Sequence, residues 1–177
     1  MRKFLKKNDA MNTIHIAGAL FIILSSGGFG CFKLSEMIKR ERIYEYLLNG
    51  FELLRINISV FNLKIEDALR KADISAGKCL IFTDAADGIK EKGFTQAWGD
   101  AIKNNSDIFC DEDINTLTAF SKRLNKGSAE EIDRNICGMI EILKREYKAA
   151  KDRRINEGKL YLIIPVLMGI FTVFILM

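Results

Sequence analysis

Two uncharged apolar blocks lie near opposite ends of the sequence. Residues 14–32 contain no Asp, Glu, Lys or Arg, and neither do residues 160–177. A helix needs about 20 mostly apolar residues to cross a bilayer, with a range of roughly 17–25. A lipid-embedded backbone must satisfy its own amides, so each block is expected to be helical. The pattern predicts membrane helices over 13–34 and 160–177, and an N-terminal tail over 1–12.

Helical periodicity fills the segment between these blocks, residues 35–159. Apolar residues recur at steps of three and four over 43–61 and over 132–150, and these runs predict the two longest soluble helices. Each leads directly into a membrane helix, so the two are expected to be antiparallel neighbours. Shorter helical patterns cover 65–72, 79–89 and 95–103. Asp111 is the predicted N-cap of a further helix, and Ser128, with Glu131 three residues later, caps the last one.

No stretch alternates apolar and polar residues with a period of two, so no sheet is expected. The predicted fold class is all-α: a soluble helical bundle of about five to six helices, flanked by N- and C-terminal transmembrane helices.

The positive net charge of the chain comes from residues around the first apolar block and not from the central segment. The chain carries +4, yet residues 35–159 hold 22 Lys plus Arg against 22 Asp plus Glu. The surplus flanks the first apolar block, which is typical of membrane topology and not of a nucleic-acid-binding face, so no nucleic-acid partner is expected. Near the membrane ends, ten Lys and Arg lie on the side of the central segment and four in the tail. Cytoplasmic loops retain such cations, so the domain over 35–159 is predicted to be cytoplasmic, with both termini outside.

Residues that carry chemistry are sparse. The chain has one histidine, His15, and its four cysteines form no C-x-x-C pair, so the ligand sets typical of zinc sites are missing. The sequence 27–30 (Gly-Gly-Phe-Gly) lacks the preceding strand and the G-K-[ST] ending of a phosphate loop. No Ser or Cys has a histidine positioned to activate it. The sequence therefore predicts no catalytic residue, no metal, no cofactor and no enzymatic activity.

Two sets of residues leave alternatives open. Trp98, with Phe94 nearby, fits a protein–protein contact or the core of a small bundle, and the core is favoured. Small residues allow close helix approach in membranes, but glycine is also common in such helices. The glycines of the first apolar block therefore fit either a packing face or ordinary membrane-helix composition: Gly18, Gly27, Gly28 and Gly30.

The first apolar block and the start of the chain also have alternatives. The block fits a retained membrane helix, a cleaved signal peptide, or a lipoprotein signal processed at Cys31. Retention is favoured because the apolar run continues to Leu34. Met11 is an alternative start, because the apolar run begins just after it.

From Met11 onward the sequence resembles the stage III sporulation protein AB family of endospore-forming Firmicutes. The order and spacing of several short motifs carry the resemblance, which covers nearly the whole chain. It departs from the family pattern in the ten residues before Met11, and in Ile164-Pro165 where Leu-Gly is usual. The motifs are Ile16-Ala17-Gly18-Ala19, the stretch 30–34, the amphipathic run 47–61, the stretch 65–69, Ala97-Trp98, the stretch 124–127 and Lys159-Leu160-Tyr161.

The resemblance implies a role in a channel or secretion-like complex in the mother-cell membrane around the forespore. It implies a soluble domain similar to the cytoplasmic domains of type II secretion and type IV pilus platform proteins. The expected partners are the cytoplasmic ATPase of the complex, stage III sporulation protein AA, and other membrane subunits. The resulting hypothesis is a non-enzymatic membrane platform subunit that docks this ATPase. The alternative is an extracytoplasmic membrane-anchored or lipoprotein sensor domain.

Overall fold

The computed structural model of the protein describes residues 2–73, 81–124 and 129–176. Within these ranges the chain forms six α-helices and no strand, which confirms the all-α prediction. The helices are α1 (Arg2–Ser59), α2 (Ile65–Asp73), α3 (Ile81–Lys92), α4 (Phe94–Asn104), α5 (Asp111–Leu124) and α6 (Ala129–Leu176).

The two longest helices are the first and the last, with 58 and 48 residues. Each runs without a break from an apolar block into an amphipathic stretch, as the sequence predicted. The chain divides into two compact units. The paired-helix unit contains Met1–Glu41 and Ala150–Met177, and the helical domain contains Arg42–Ala149. The membrane boundaries at residues 13, 34 and 160 stay predictions.

An aromatic cluster forms the centre of the helical domain. Trp98 of α4 is fully buried, and its ring centroid lies 5.9 Å from that of Phe51 in α1 and 5.7 Å from that of Phe82 in α3. Phe120 of α5 meets Phe51 edge-on at 4.9 Å. Edge-to-face pairs add stabilisation beyond buried area, and the cluster draws one ring from each of four helices. The Trp98 indole N–H donates to the carbonyl oxygen of Leu117 at 2.9 Å, so its polar atom is also satisfied.

A buried carboxylate joins three helices of the same domain. Asp73, the last residue of α2, accepts a hydrogen bond from the hydroxyl of Tyr46 in α1. Its other oxygen accepts the backbone N–H of Thr83 at 3.0 Å, in the first turn of α3. The first N–H groups of a helix have no partner within the helix, so Asp73 satisfies one of them from outside. Among the described residues, no buried side-chain nitrogen or oxygen lacks a partner.

Two local predictions are corrected. Asp111 was expected to cap α5, but α5 begins at that residue and the backbone N–H of Cys110 donates to Asp113 Oδ2 at 3.2 Å. A side chain at the third helical position reaches back to the residue before the helix, as in half of a capping box. The stripe over 43–61 predicted Phe61 on one face of the first amphipathic helix, but Phe61 lies beyond that helix and is 64% exposed. The helix ends at Ser59, and the chain turns through Asn62 in a left-handed conformation (φ 50°), which takes Phe61 off the helical stripe. Cys79 and the predicted cap Ser128 lie outside the described residues.

One described helical segment, Glu130–Phe174, is long and apolar enough to cross a membrane by length and composition. Only 11% of its most apolar 18-residue window is buried, unlike a helix in the core of a soluble protein. No second segment meets the same criterion within the described residues. The predicted pair of flanking transmembrane helices is therefore not confirmed, and membrane association is suggested by one apolar helix.

Gly50 provides a test of the packing in the helical domain. A Cβ at this position would overlap the ring of Phe82, which is fully buried and cannot withdraw without disturbing the aromatic cluster. Gly50→Ala is expected to lower the free energy of unfolding by about 1–3 kcal/mol. Gly138→Ala is the matched control, because that glycine is exposed on α6 and a Cβ there meets nothing within 4 Å. The control is expected to raise stability by roughly 0.5–1 kcal/mol.

Thermal unfolding of the full-length protein in detergent gives both values. A Gly50→Ala protein as stable as the wild type would show that Phe82 is not confined as described.

Candidate functional site

The structure places the two predicted aromatic site residues in the core of the helical domain. Trp98 is fully buried, Phe94 is 7% exposed, and their rings stack with centroids 5.8 Å apart. Neither side chain is available to a partner at the surface. The interpretation of Trp98 as a core residue accounts for its position, and partner contact has to be sought elsewhere.

Among the four predicted glycines, Gly30 has the closest contact with α6. A Cβ at Gly30 would overlap the carbonyl oxygen of Tyr161 and lie 3.3 Å from the Cα of Leu162, so two helix backbones touch here. Gly27 is in looser contact, since a Cβ there would lie 3.9 Å from the Val166 side chain. A Cβ at Gly18 or Gly28 would meet nothing within 4 Å.

A fifth glycine, which the sequence analysis did not single out, belongs to the same contact. Gly158 of α6 is buried, and a Cβ on it would lie 3.0 Å from Cδ1 of Leu34. It is the only glycine between residues 139 and 168. A single glycine within a charged helical run is the sequence feature that could have indicated this contact. Together Gly30 and Gly158 let the two segments of the paired-helix unit approach more closely than larger residues allow.

An ion pair lies on the same two segments. The Arg154 guanidinium donates to both carboxylate oxygens of Glu41, from Nη2 at 3.3 Å and from Nε at a shorter distance. The side chains are 34% and 12% exposed, so this pair is better shielded than most surface pairs. The pairing of residue 41 with 154, and of 30 with 161, shows that the two segments run antiparallel.

In the helical domain, Asp133 of α6 accepts three hydrogen bonds from α1. Arg55 donates from Nε at 2.9 Å and from Nη2 at 3.2 Å, and Ser59 Oγ donates at 2.7 Å. The bonds from Arg55, and then that from Ser59, lower the pKa of Asp133 from its ordinary 3.8 to about 2. This bidentate arrangement fixes the last turn of α1 against the first turns of α6.

In the described part of the helical domain, three large hydrophobic residues are exposed close to the contact between Arg55 and Asp133. Ile56, Val60 and Phe61 are 44%, 67% and 64% exposed. We call these three residues the apolar tip. They are the large hydrophobic residues that the described part of the helical domain exposes. The helical stripe over 43–61 includes Phe61, so the sequence pattern did not indicate this surface.

In the part of the chain that the structure describes, residues with catalytic or ligand chemistry do not come together. Within the described residues, no three His, Cys, Asp or Glu side chains are grouped so as to hold a metal ion. Asp87 pairs with Arg70 at 2.6 Å, and Asp84 accepts a hydrogen bond from Asn105 at 3.1 Å, so both carboxylates have structural partners. The side chain of His15 lies outside the described residues.

Comparison with known proteins identifies a family. The family model for stage III sporulation protein AB matches residues 15–177, which is nearly the whole chain. The resemblance that the sequence motifs carry is thereby confirmed at the level of the family. No curated protein and no solved structure matches the chain.

The hydrogen bonds to Asp133 predict a pH dependence of stability. The folded pKa of about 2 lies below the ordinary 3.8, so the unfolded chain binds more protons between these values. The stabilisation is complete above about pH 4 and is lost as the pH falls through about 2. Asp133→Asn is expected to be less stable than the wild type at neutral pH, with the difference shrinking in that window. Unfolding midpoints measured from pH 2 to pH 7 give this difference, and a constant difference would contradict the assignment.

The contact at Gly30 predicts a position-specific effect of added volume. Gly30→Val is expected to lower the stability of the detergent-solubilised protein by about 1–3 kcal/mol, because its side chain would meet the α6 backbone. Gly28→Val adds the same volume where nothing lies within 4 Å, so its effect is expected to be much smaller. Titration with a denaturing detergent measures both. Equal losses in the two variants would show that Gly30 is not a special contact.

Proposed function

Since the chain belongs to the stage III sporulation protein AB family, we propose that it is a non-enzymatic membrane platform subunit of a sporulation complex. In this proposal its helical domain docks a cytoplasmic ATPase, similar to stage III sporulation protein AA, to other membrane subunits. Membership of the family indicates a role in sporulation, and the proposal starts from that role. The membrane topology, the location and the ATPase contact are the proposed parts.

Exposed apolar surface supports insertion of both apolar blocks in a bilayer. On α6 the exposed side chains include Leu167, Phe171 and Phe174, at 58%, 61% and 81%. On α1 they include Phe21 and Phe29, at 74% and 56%. Soluble monomers rarely expose contiguous apolar patches of more than a few hundred Å². We therefore propose that residues 13–34 and 160–177 both span the membrane, which makes the protein multi-pass.

The cations next to these blocks support a cytoplasmic position for the helical domain. Residues 33–42 and 148–159 together contain nine Lys and Arg. Short flanking segments rich in such residues are retained on the cytoplasmic side. The proposed location is the mother-cell membrane around the forespore, with the helical domain in the mother-cell cytoplasm.

The apolar tip carries the proposal of a protein partner. The aromatic cluster is fully enclosed, so the large apolar residues offered by the described part of the domain are Ile56, Val60 and Phe61. A small apolar centre rimmed by charged residues is typical of a protein interface. Arg55 and Asp133 form such a rim, since both stay partly exposed beside the tip, at 46% and 31%. We propose that the ATPase contacts this surface.

Co-purification tests the docking surface. Full-length protein with Val60→Asp and Phe61→Asp is expected to capture about tenfold less of the stage III sporulation protein AA-like ATPase than the wild type, because two charges replace apolar contacts. The control carries Gln96→Asp and Asn115→Asp, which add the same charge at exposed positions on α4 and α5. Both proteins are expected to keep the wild-type unfolding midpoint. Capture at the wild-type level by the tip variant, or an equal loss in the control, would contradict the proposed surface.

A further inference from the structure

Two cavities lie along one groove between the two segments of the paired-helix unit, the first lined mainly by charged residues and the second mainly by apolar ones. The polar cavity, about 230 Å³, is lined by Lys33, Glu36, Met37, Arg40, Ala150, Arg153 and Tyr161. The apolar cavity, about 440 Å³, is lined by Phe29, Glu157, Leu160, Tyr161, Ile164 and Pro165. Tyr161 belongs to both linings, so the two cavities adjoin at this residue.

The residues that line the two cavities follow helical spacing on both α1 and α6. On α1 the residues recur as Phe29, Lys33 and Glu36, at steps of four and three, and continue to Arg40. On α6 the sequence Arg153, Glu157, Tyr161 and Ile164 has the same steps. Residues spaced in this way share one helix face. Gly30 and Gly158 bring the two helices into close contact beside these residues.

The polar cavity has an excess of positive charge. Three cations, Lys33, Arg40 and Arg153, line it together with one carboxylate, Glu36. Lys33 pairs with Glu36 at 2.8 Å, and Arg153 pairs with Glu157 at 3.1 Å. The four side chains are 39–64% exposed, and exposed pairs of this kind contribute little stability. Both cations can therefore exchange a carboxylate for a phosphate without disturbing the fold.

The helical segments around this cavity also carry more positive than negative charge. Residues 33–42 and 148–159 hold nine Lys and Arg against four Asp and Glu. Beyond Tyr161 the groove becomes apolar, and both helices continue into uncharged blocks. A basic pocket that adjoins an apolar groove at the end of membrane helices matches the two halves of an anionic lipid.

We propose that this groove binds one anionic phospholipid, with its headgroup phosphate among Lys33, Arg40 and Arg153 and one acyl chain along Phe29, Ile164 and Pro165. The phenol of Tyr161 lies where the polar and apolar parts of the lipid meet, a position that suits its amphipathic ring. The inference rests on the membrane part of the proposed function. It is independent of the ATPase contact, which involves the other unit.

Native mass spectrometry of the full-length protein, released from detergent with equal amounts of phosphatidylglycerol and phosphatidylcholine, tests the headgroup contact. The wild type is expected to retain phosphatidylglycerol about tenfold more than phosphatidylcholine. Lys33→Gln with Arg153→Gln is expected to reduce this preference to near parity. Lys144→Gln with Arg145→Gln removes the same charges from exposed positions in the helical domain, and is expected to keep the preference. Absence of a preference in the wild type, or an equal loss in the control, would overturn the proposal.

Two further measurements separate a lipid from a free anion. Ile164→Trp narrows the apolar cavity and is expected to reduce retention of both lipids, whereas retention at the wild-type level would rule out the acyl-chain contact. Soluble glycerol phosphate is expected not to be retained, and its retention as strongly as phosphatidylglycerol would make this a phosphate site and overturn the lipid assignment.

Alkaline extraction of membranes from expressing cells distinguishes the two proposals. A wild-type protein that stays in the washed membrane but has no phosphatidylglycerol preference overturns the groove alone. Release of the wild type into the supernatant overturns the membrane assignment itself.

Discussion

The pairing of α1 with α6 is the constraint on which each unit of this protein depends. In the paired-helix unit the pairing is a backbone contact, because Gly30 meets Tyr161 and Leu162 with no side chain between them. In the helical domain it includes the bidentate contact of Arg55 with Asp133. The proposed lipid groove depends on the close backbone contact at Gly30. The apolar tip lies next to the contact between Arg55 and Asp133.

The four shorter helices of the helical domain are organised around α1 by apolar packing. Phe51 contributes a ring that meets Phe82, Trp98 and Phe120, one from each of three other helices. α2 has no ring in this cluster, but it buries Ala68, Leu69 and Ala72 and also contacts α1 and α3 through the carboxylate of Asp73. The domain thus combines an apolar centre with directional polar contacts, one of which satisfies a backbone N–H in the first turn of α3.

Much of the helical domain was predictable because its helices follow strong local patterns. The stripes over 65–72 and 95–103 lie within one or two residues of α2 and α4, and the continuity of α1 agrees with the absence of proline before Asn62. The tertiary contacts were not predictable from one sequence. Nothing local indicates that Gly158 opposes Leu34, or that Asp133 accepts hydrogen bonds from Arg55 and Ser59, which lie 74 residues or more away along the chain. The error at Phe61 has a similar cause, because a periodic pattern does not indicate where a helix ends when the chain turns through an asparagine.

The contact at Gly30 also fixes the helices along their own axes. If α1 slid along α6 so that Lys33 or Leu34 took the position of Gly30, a side chain would meet the α6 backbone where only a hydrogen atom fits, so alignments displaced in that direction are excluded by steric overlap. The backbone contact therefore limits the axial alignment of α1 against α6, and no change of side-chain rotamer can relax it. Through it, the depth of Tyr161 relative to Phe29 is set by the fold itself, before any lipid or partner is present.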